Sequence, residues 1–183
     1  MKSLRSFVGL IAVMALGMPL VAQGRDSTLS QTEIEQIREL RTNPAECVLA
    51  FVKFLDLRSD EVRGLYAKQR RPGREQDTHD LMEEIAAIAD ELGDNLDDYG
   101  TRHRDLRRAL PKVINATERW ASTLKSPPDD EGYNVARRLA LESIRDVRES
   151  ALELEGSQAE WFKAHPPAKD AAPEMAPPIN IPR

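Results

Sequence analysis

Residues 78–124 read THDLMEEIAAIADELGDNLDDYGTRHRDLRRALPKVINATERWASTL, and the periodicity of this stretch decides the fold. Ile85, Leu92, Tyr99, Leu106, Val113 and Trp120 recur at an unbroken interval of seven. A second, mostly apolar row lies four residues on: Ala89, Leu96, His103, Leu110, Thr117 and Leu124. Two rows at that offset form one stripe on a helix of about 3.6 residues per turn. An apolar stripe of this length has to be covered by other helices. The stretch therefore predicts one long helix, or two stacked end to end. Pro111 removes a backbone hydrogen bond, but the row of sevens runs straight through it, so a kink near Ala109 is expected rather than a reversal. Gly93 and Gly100 each cost about 1 kcal/mol relative to Ala inside a helix, and are read as points of close helix approach or local bending.

On the N-terminal side, Ser30-Gln31-Thr32-Glu33 has the form of a capping box, with Ile34, Ile37 and Leu40 following at helical spacing. Asn43-Pro44-Ala45-Glu46 restarts the helix, Asn43 as cap and Pro44 in the first turn. Val48, Phe51, Val52 and Leu55 form its apolar face. Ser59, followed by Asp60 and Glu61, offers a further start, with Val62, Leu65 and Tyr66 continuing the stripe. Residues 32–68 are thus expected as one helical arm broken twice. Pro72-Gly73 marks a basic turn, and Asp77 or Thr78 is expected to cap the central helix.

On the C-terminal side, residues 126–132 (SPPDDEG) form a loop. Tyr133, Ala140, Val147, Leu154 and Trp161 then recur at sevens, and His165-Pro166-Pro167 ends the helix. The fold class expected is all-α: an elongated antiparallel three- or four-helix bundle, coiled-coil-like, with long and partly kinked helices. Trp120 and Trp161 close the two long stripes and are read as core or core-edge residues.

The chain opens with Met1, Lys2 and Arg5 before an apolar run from Phe7 to Ala22, then Gln23-Gly24. That pattern describes a secretory signal peptide over 1–24. The run is short for a membrane span of roughly 20 residues, so an exported protein, periplasmic or secreted, is expected, with no stable membrane span after cleavage. The bundle is assigned to 25–165 and a disordered Pro/Ala-rich tail to 166–183. Net charge is −5, and loss of the basic Lys2 and Arg5 with the leader takes it to −7. Such a balance argues against nucleic acid as a partner. Cys47 is the one cysteine and has no partner for an internal disulfide. It is read as a small apolar filler, the competing reading being an intermolecular bridge.

Little in the chain carries catalytic chemistry. His79 and Glu83 lie four apart, with Asp80 and Glu84 beside them, and are the best metal-ligand candidates. No second His-plus-acid pair faces them, so no metal and no cofactor is expected. Asp90, Glu91, Asp94, Asp97 and Asp98 form an acidic block, followed by Arg102, His103, Arg104, Arg107 and Arg108. These are read as a charged helix surface, the sharper alternative being complementarity to a partner or to an antiparallel second copy. The acidic block lacks the ligand spacing and central glycine of a calcium loop. His103-Arg104-Asp105-Leu106 imitates a kinase loop without the rest of a kinase. No nucleophile elbow, phosphate loop or haem motif is present.

Leu55-Asp56-Leu57-Arg58-Ser59-Asp60-Glu61-Val62 resembles the Leu-x-Leu-Thr-x-x-Gln element of the periplasmic Spy/CpxP helical chaperones. Ser59 stands one place past the family's Thr, Val62 replaces its Gln, and there is no second copy of the element. The resemblance covers eight residues and carries no functional residue over. The function expected is that of an exported non-enzymatic protein acting through protein–protein contacts in the cell envelope, in a chaperone-like or stress-related role. The alternatives are a metal-binding or metal-sensing bundle using His79 and Glu83, and a structural protein that self-associates along its long stripe.

Overall fold

The computed structural model describes residues 28–166. The expected leader over 1–24, and the expected tail from residue 167 onward, lie outside the described residues. Within them the protein is all-α, with five helices and no strand. These are α1 (Gln31–Leu40), α2 (Pro44–Ala67), α3 (Arg74–Thr101), α4 (Leu110–Lys125) and α5 (Asn134–Ala164).

Local chemistry sets most of the boundaries. Ser30 and Glu33 close a capping box at the start of α1. The Asn43 side chain accepts from the Glu46 amide, and Pro44 occupies the first turn of α2. The first arm breaks once rather than twice. Ser59 lies inside α2, buried in the middle of the helix, and caps nothing. α3 also begins earlier than its polar residues suggest. Gly73, at φ +83°, turns the chain into Arg74, a conformation that glycine adopts without strain. Thr78 is buried one turn in, its hydroxyl donating to the Arg74 carbonyl at 2.7 Å.

The largest departure from expectation is at residues 102–109, where the chain reverses instead of kinking. The His103 amide donates to Gly100 O at 3.0 Å and the Arg104 amide to Tyr99 O at 2.9 Å. This paired closure is a Schellman motif, and the residue it forces into the left-handed region is His103, at φ +52°. Glycine usually fills that position, so the signal for a helix stop is missing from the sequence. Pro111 follows in the first turn of α4, where its lost N–H would have had no partner in any case.

Side-chain pairs fix the helix directions. Arg58 meets Glu84 and Tyr66 meets Thr78, so α2 and α3 are antiparallel. Asp56 meets Trp120, while Glu46 meets Arg108 just ahead of α4, so α2 and α4 run parallel. Gly93 faces Val147 and Gly100 faces Leu154, so α3 and α5 are parallel. Arg148 meets Ile114 and Gln158 meets Leu106, so α4 and α5 are antiparallel. α2 and α5 each pack against both α3 and α4. The turn at 102–109 thus carries the chain across the core, and two of the four neighbouring contacts are parallel where an antiparallel arrangement was expected.

The core absorbs both rows of the opening stretch almost completely. Ile85, Leu92, Tyr99, Leu106, Val113 and Trp120 are all buried, as are Ala89, Leu96, Leu110, Thr117 and Leu124. The exception is His103, exposed on the turn. Among the described residues, no helix is long and apolar enough to cross a membrane.

Candidate functional site

A partly buried Arg58 ties three helices together. Its guanidinium donates to both carboxylate oxygens of Glu33 on α1, at 2.7 and 2.9 Å, and to Glu84 on α3 at 2.9 Å. Glu33 also accepts from the amide and hydroxyl of Ser30. Burial acts to raise the Glu33 carboxyl, but hydrogen bonds from Arg58 and Ser30 together hold it below its ordinary value. The Glu33 hydrogen bond correspondingly strengthens the hold of Arg58 on its proton. The Arg58–Glu33 geometry is a bidentate charge-assisted pair that ties α2 to α1, and the single bond to Glu84 ties α2 to α3.

Beyond this staple, toward the connecting turn, Tyr66 and Thr78 join α2 and α3 again at 3.2 Å, and beside them lies an open cleft of about 670 Å³. Leu57, Leu65 and Leu81 supply its apolar lining, with Gly64 between them. Leu57 is 45% exposed. Acidic groups lie on one stretch of the rim (Asp60, Glu61, Asp80) and basic groups toward the turn (Lys68, Arg71). Asp60 pairs with Arg63 and Arg71 with Asp77. Glu61 and Lys68 form no ion pair among the described residues, and both are exposed. Val135 and Leu139, one turn apart on the outer face of α5, are also exposed. The cleft can take up an apolar side chain or a helix face between charged margins. It contains no arrangement of nucleophile and base.

The metal candidates are brought together only in part. His79 Nε2 lies 3.6 Å from Glu83 Oε1, and Nδ1 lies 3.4 Å from Asp80 Oδ1. Glu84, the fourth member expected nearby, is committed to Arg58 instead. Among the described residues, no group of three or more His, Cys, Asp or Glu is placed to share an ion.

The basic block is largely neutralised within the chain. Arg102 pairs with Asp98, Arg107 with Asp105, and Arg108 with Glu46. Cys47 is fully buried, and burial pushes its thiol up, so the sulfur is not presented for an intermolecular bridge. Trp120 is core, its indole N–H donating to Asp56 at 2.7 Å. Trp161 is only half-buried, stacked between His103 (3.7 Å) and His165 (3.9 Å).

Apart from Leu65, which continues the stripe of α2, the cleft residues escape a reading based on stripes because they lie off them. The one available signal is Leu57, an apolar residue among charges on the wrong side of its helix. The segment that resembles the Spy/CpxP element lies wholly within α2, with Leu57 exposed, Arg58 in the staple and Ser59 buried. Comparison of the chain with protein-family models, curated proteins and solved structures finds no match.

Proposed function

We propose that this is an exported, non-enzymatic four-helix-bundle protein that acts in the periplasm or outside the cell by binding other proteins, in a chaperone-like role. The observation that carries the reading is the α2–α3 cleft, where leucines remain accessible at a place the chain could have closed. Apolar surface rimmed by charge is the chemistry that receives an exposed apolar segment of another polypeptide. The apolar N-terminal run after Lys2 and Arg5 supports export. The mature net charge of the proposed product is that of a soluble surface-binding protein rather than a nucleic-acid binder.

The test is suppression of aggregation of a defined client, reduced lysozyme, by the purified chain at near-stoichiometric ratio. Leu57→Lys, at an exposed position that lines the cleft, is expected to abolish suppression while leaving the helical signal and melting transition in place. Absence of suppression by the unaltered chain sinks the chaperone reading.

A further inference from the structure

One row of α2 changes character at the level where α1 begins. Cys47, Ala50, Phe54, Leu57, Glu61 and Gly64 follow one another at alternating steps of three and four, which keeps them on one face of the helix. Cys47, Ala50 and Phe54 are buried. From Leu57 onward the same row is open and lines the cleft. α1 accounts for the difference. It runs back along α2 after the short link at 41–43, and its first turn stands at Arg58, where Glu33 and Glu84 share one guanidinium. α1 therefore covers the α2–α3 groove as far as the staple. The cleft is the same groove, continued past the N-terminus of α1.

The chain enters α1 from that side. Leu29, just ahead of the Ser30 cap, is still buried in the core, so the backbone arrives along the bundle. Ahead of it, the apolar run of the expected leader ends at Met18-Pro19-Leu20-Val21-Ala22. The open part of α2, from Leu57 to Lys68, is about 16 Å long at 1.5 Å per residue. From Leu29 back to Leu20 the chain spans about 14 Å as helix and about 30 Å when extended. Leu20 and Val21 thus have the length to reach Leu65 and Leu81 in either form. These are the apolar residues the groove leaves uncovered beyond Leu57.

We propose that in the unprocessed chain the residues ahead of α1 continue along this groove and seat Leu20 and Val21 against Leu65 and Leu81, so that the cleft opens to other proteins only when the leader is removed. The proposal rests on the readings of the cleft as a protein-binding surface and of residues 1–24 as an export leader, and it adds the regulation of that site. Lysozyme suppression is then a property of the processed chain alone.

A thiol placed in the cleft reports whether it is covered. Gly64→Cys is tolerated by the fold, since a Cβ there meets no atom within 4 Å, and Cys47 is buried away from reagent. In the full chain with its leader, a maleimide should label position 64 about tenfold more slowly than after signal peptidase has removed the leader. Leu20→Asp/Val21→Asp in the uncut chain should restore the fast rate. Leu152→Cys, at a 45% exposed position on α5, should label at one rate throughout. Equal labelling at position 64 before and after cleavage, slow labelling that survives the two aspartates, or the same slowing at position 152 would each overturn the proposal. Failure here is distinct from failure of the chaperone reading. Equal labelling with suppression by both forms keeps that reading and loses the regulation, and protection in the uncut chain with no suppression by the cut one does the reverse.

Discussion

The two ends of the molecule are built on opposite principles. At the end formed by the 102–109 turn and the last turns of α5, buried hydrogen bonds and ring stacks join the elements, beside an open polar cleft lined by Asp105, Arg107 and Arg108. Gln158, 3% exposed, accepts from the Leu106 amide at 2.9 Å and donates to the Arg104 carbonyl at 2.8 Å. Gly100 lets Leu154 in against the α3 backbone. Trp161 stacks between two histidines, and Arg107 lies over Phe162 at 4.4 Å. At the other end, α2 and α3 are held by the charged Arg58 staple and by Tyr66 against Thr78, and leucines and a glycine stay open beside them. Glycine itself marks the contrast: among the described residues a neighbour crowds Gly100 and none crowds Gly64. The cleft beside α2 and α3 is thus not a general looseness of the fold: the other end is held by a buried glutamine, ring stacks and ion pairs.

The sharpest break in the comparison comes from Gln158. Gln158→Leu orphans the Leu106 amide and the Arg104 carbonyl together, and should lower stability by about 3 kcal/mol, read as a shifted denaturant midpoint. Next is Gly100→Val, expected to lose about 2 kcal/mol by overpacking against Leu154. Part of that loss should return in the Gly100→Val/Leu154→Ala double variant, which identifies the contact as its cause.

The Arg58 staple should respond to acid, as should Asp105 at the other end, whose carboxyl the Arg107 hydrogen bond holds below its ordinary range. The folded value of Glu33 is lowered from the ordinary 4.5. Its contribution is therefore fully present above about pH 4.5 and is lost as pH falls below that, through the lower folded value. Denaturant melts between pH 6 and pH 3 should show this loss in the parent and a shallower one in Glu33→Gln. At pH 7 Glu33→Gln is itself expected to be about 1.5 kcal/mol less stable, as for a hydrogen bond to a charged group. Gln158→Leu should leave the pH slope unchanged. The smallest effect has the opposite sign: Gly64→Ala should gain about 0.5 kcal/mol, because helix propensity improves and nothing is displaced.

Much of this architecture is legible in the sequence. The rows of sevens name the core of α3, α4 and α5 nearly residue by residue, and the Ser30 and Asn43 caps stand where their side chains place them. The reversal at 102–109 is not legible, for a specific reason. A seven-residue pattern counts positions along the chain and is blind to direction, so a turn that keeps Leu106 buried keeps the register intact. The stop falls on His103, a residue that does not advertise a left-handed backbone. Ser59 misleads in the other direction, since a serine before two acids reads as a cap yet is buried within a continuous helix. The candidate site was nearly invisible because it consists of what the stripes leave over. Leu57, Gly64 and the charges of Glu61 and Lys68 acquire meaning only once α3 is known to run back along α2.

The central claim, that the open end is the working surface and the closed end is structural, is tested most directly by amide hydrogen exchange. Exchange would be followed by mass spectrometry on the purified chain, at low and high concentration and with reduced lysozyme added. Association should slow exchange in peptides spanning 57–69 and 76–82 and leave peptides spanning 99–110 and 154–164 unchanged. Protection that appears at the 102–109 end, or that leaves 57–69 unaltered under every condition, would contradict it.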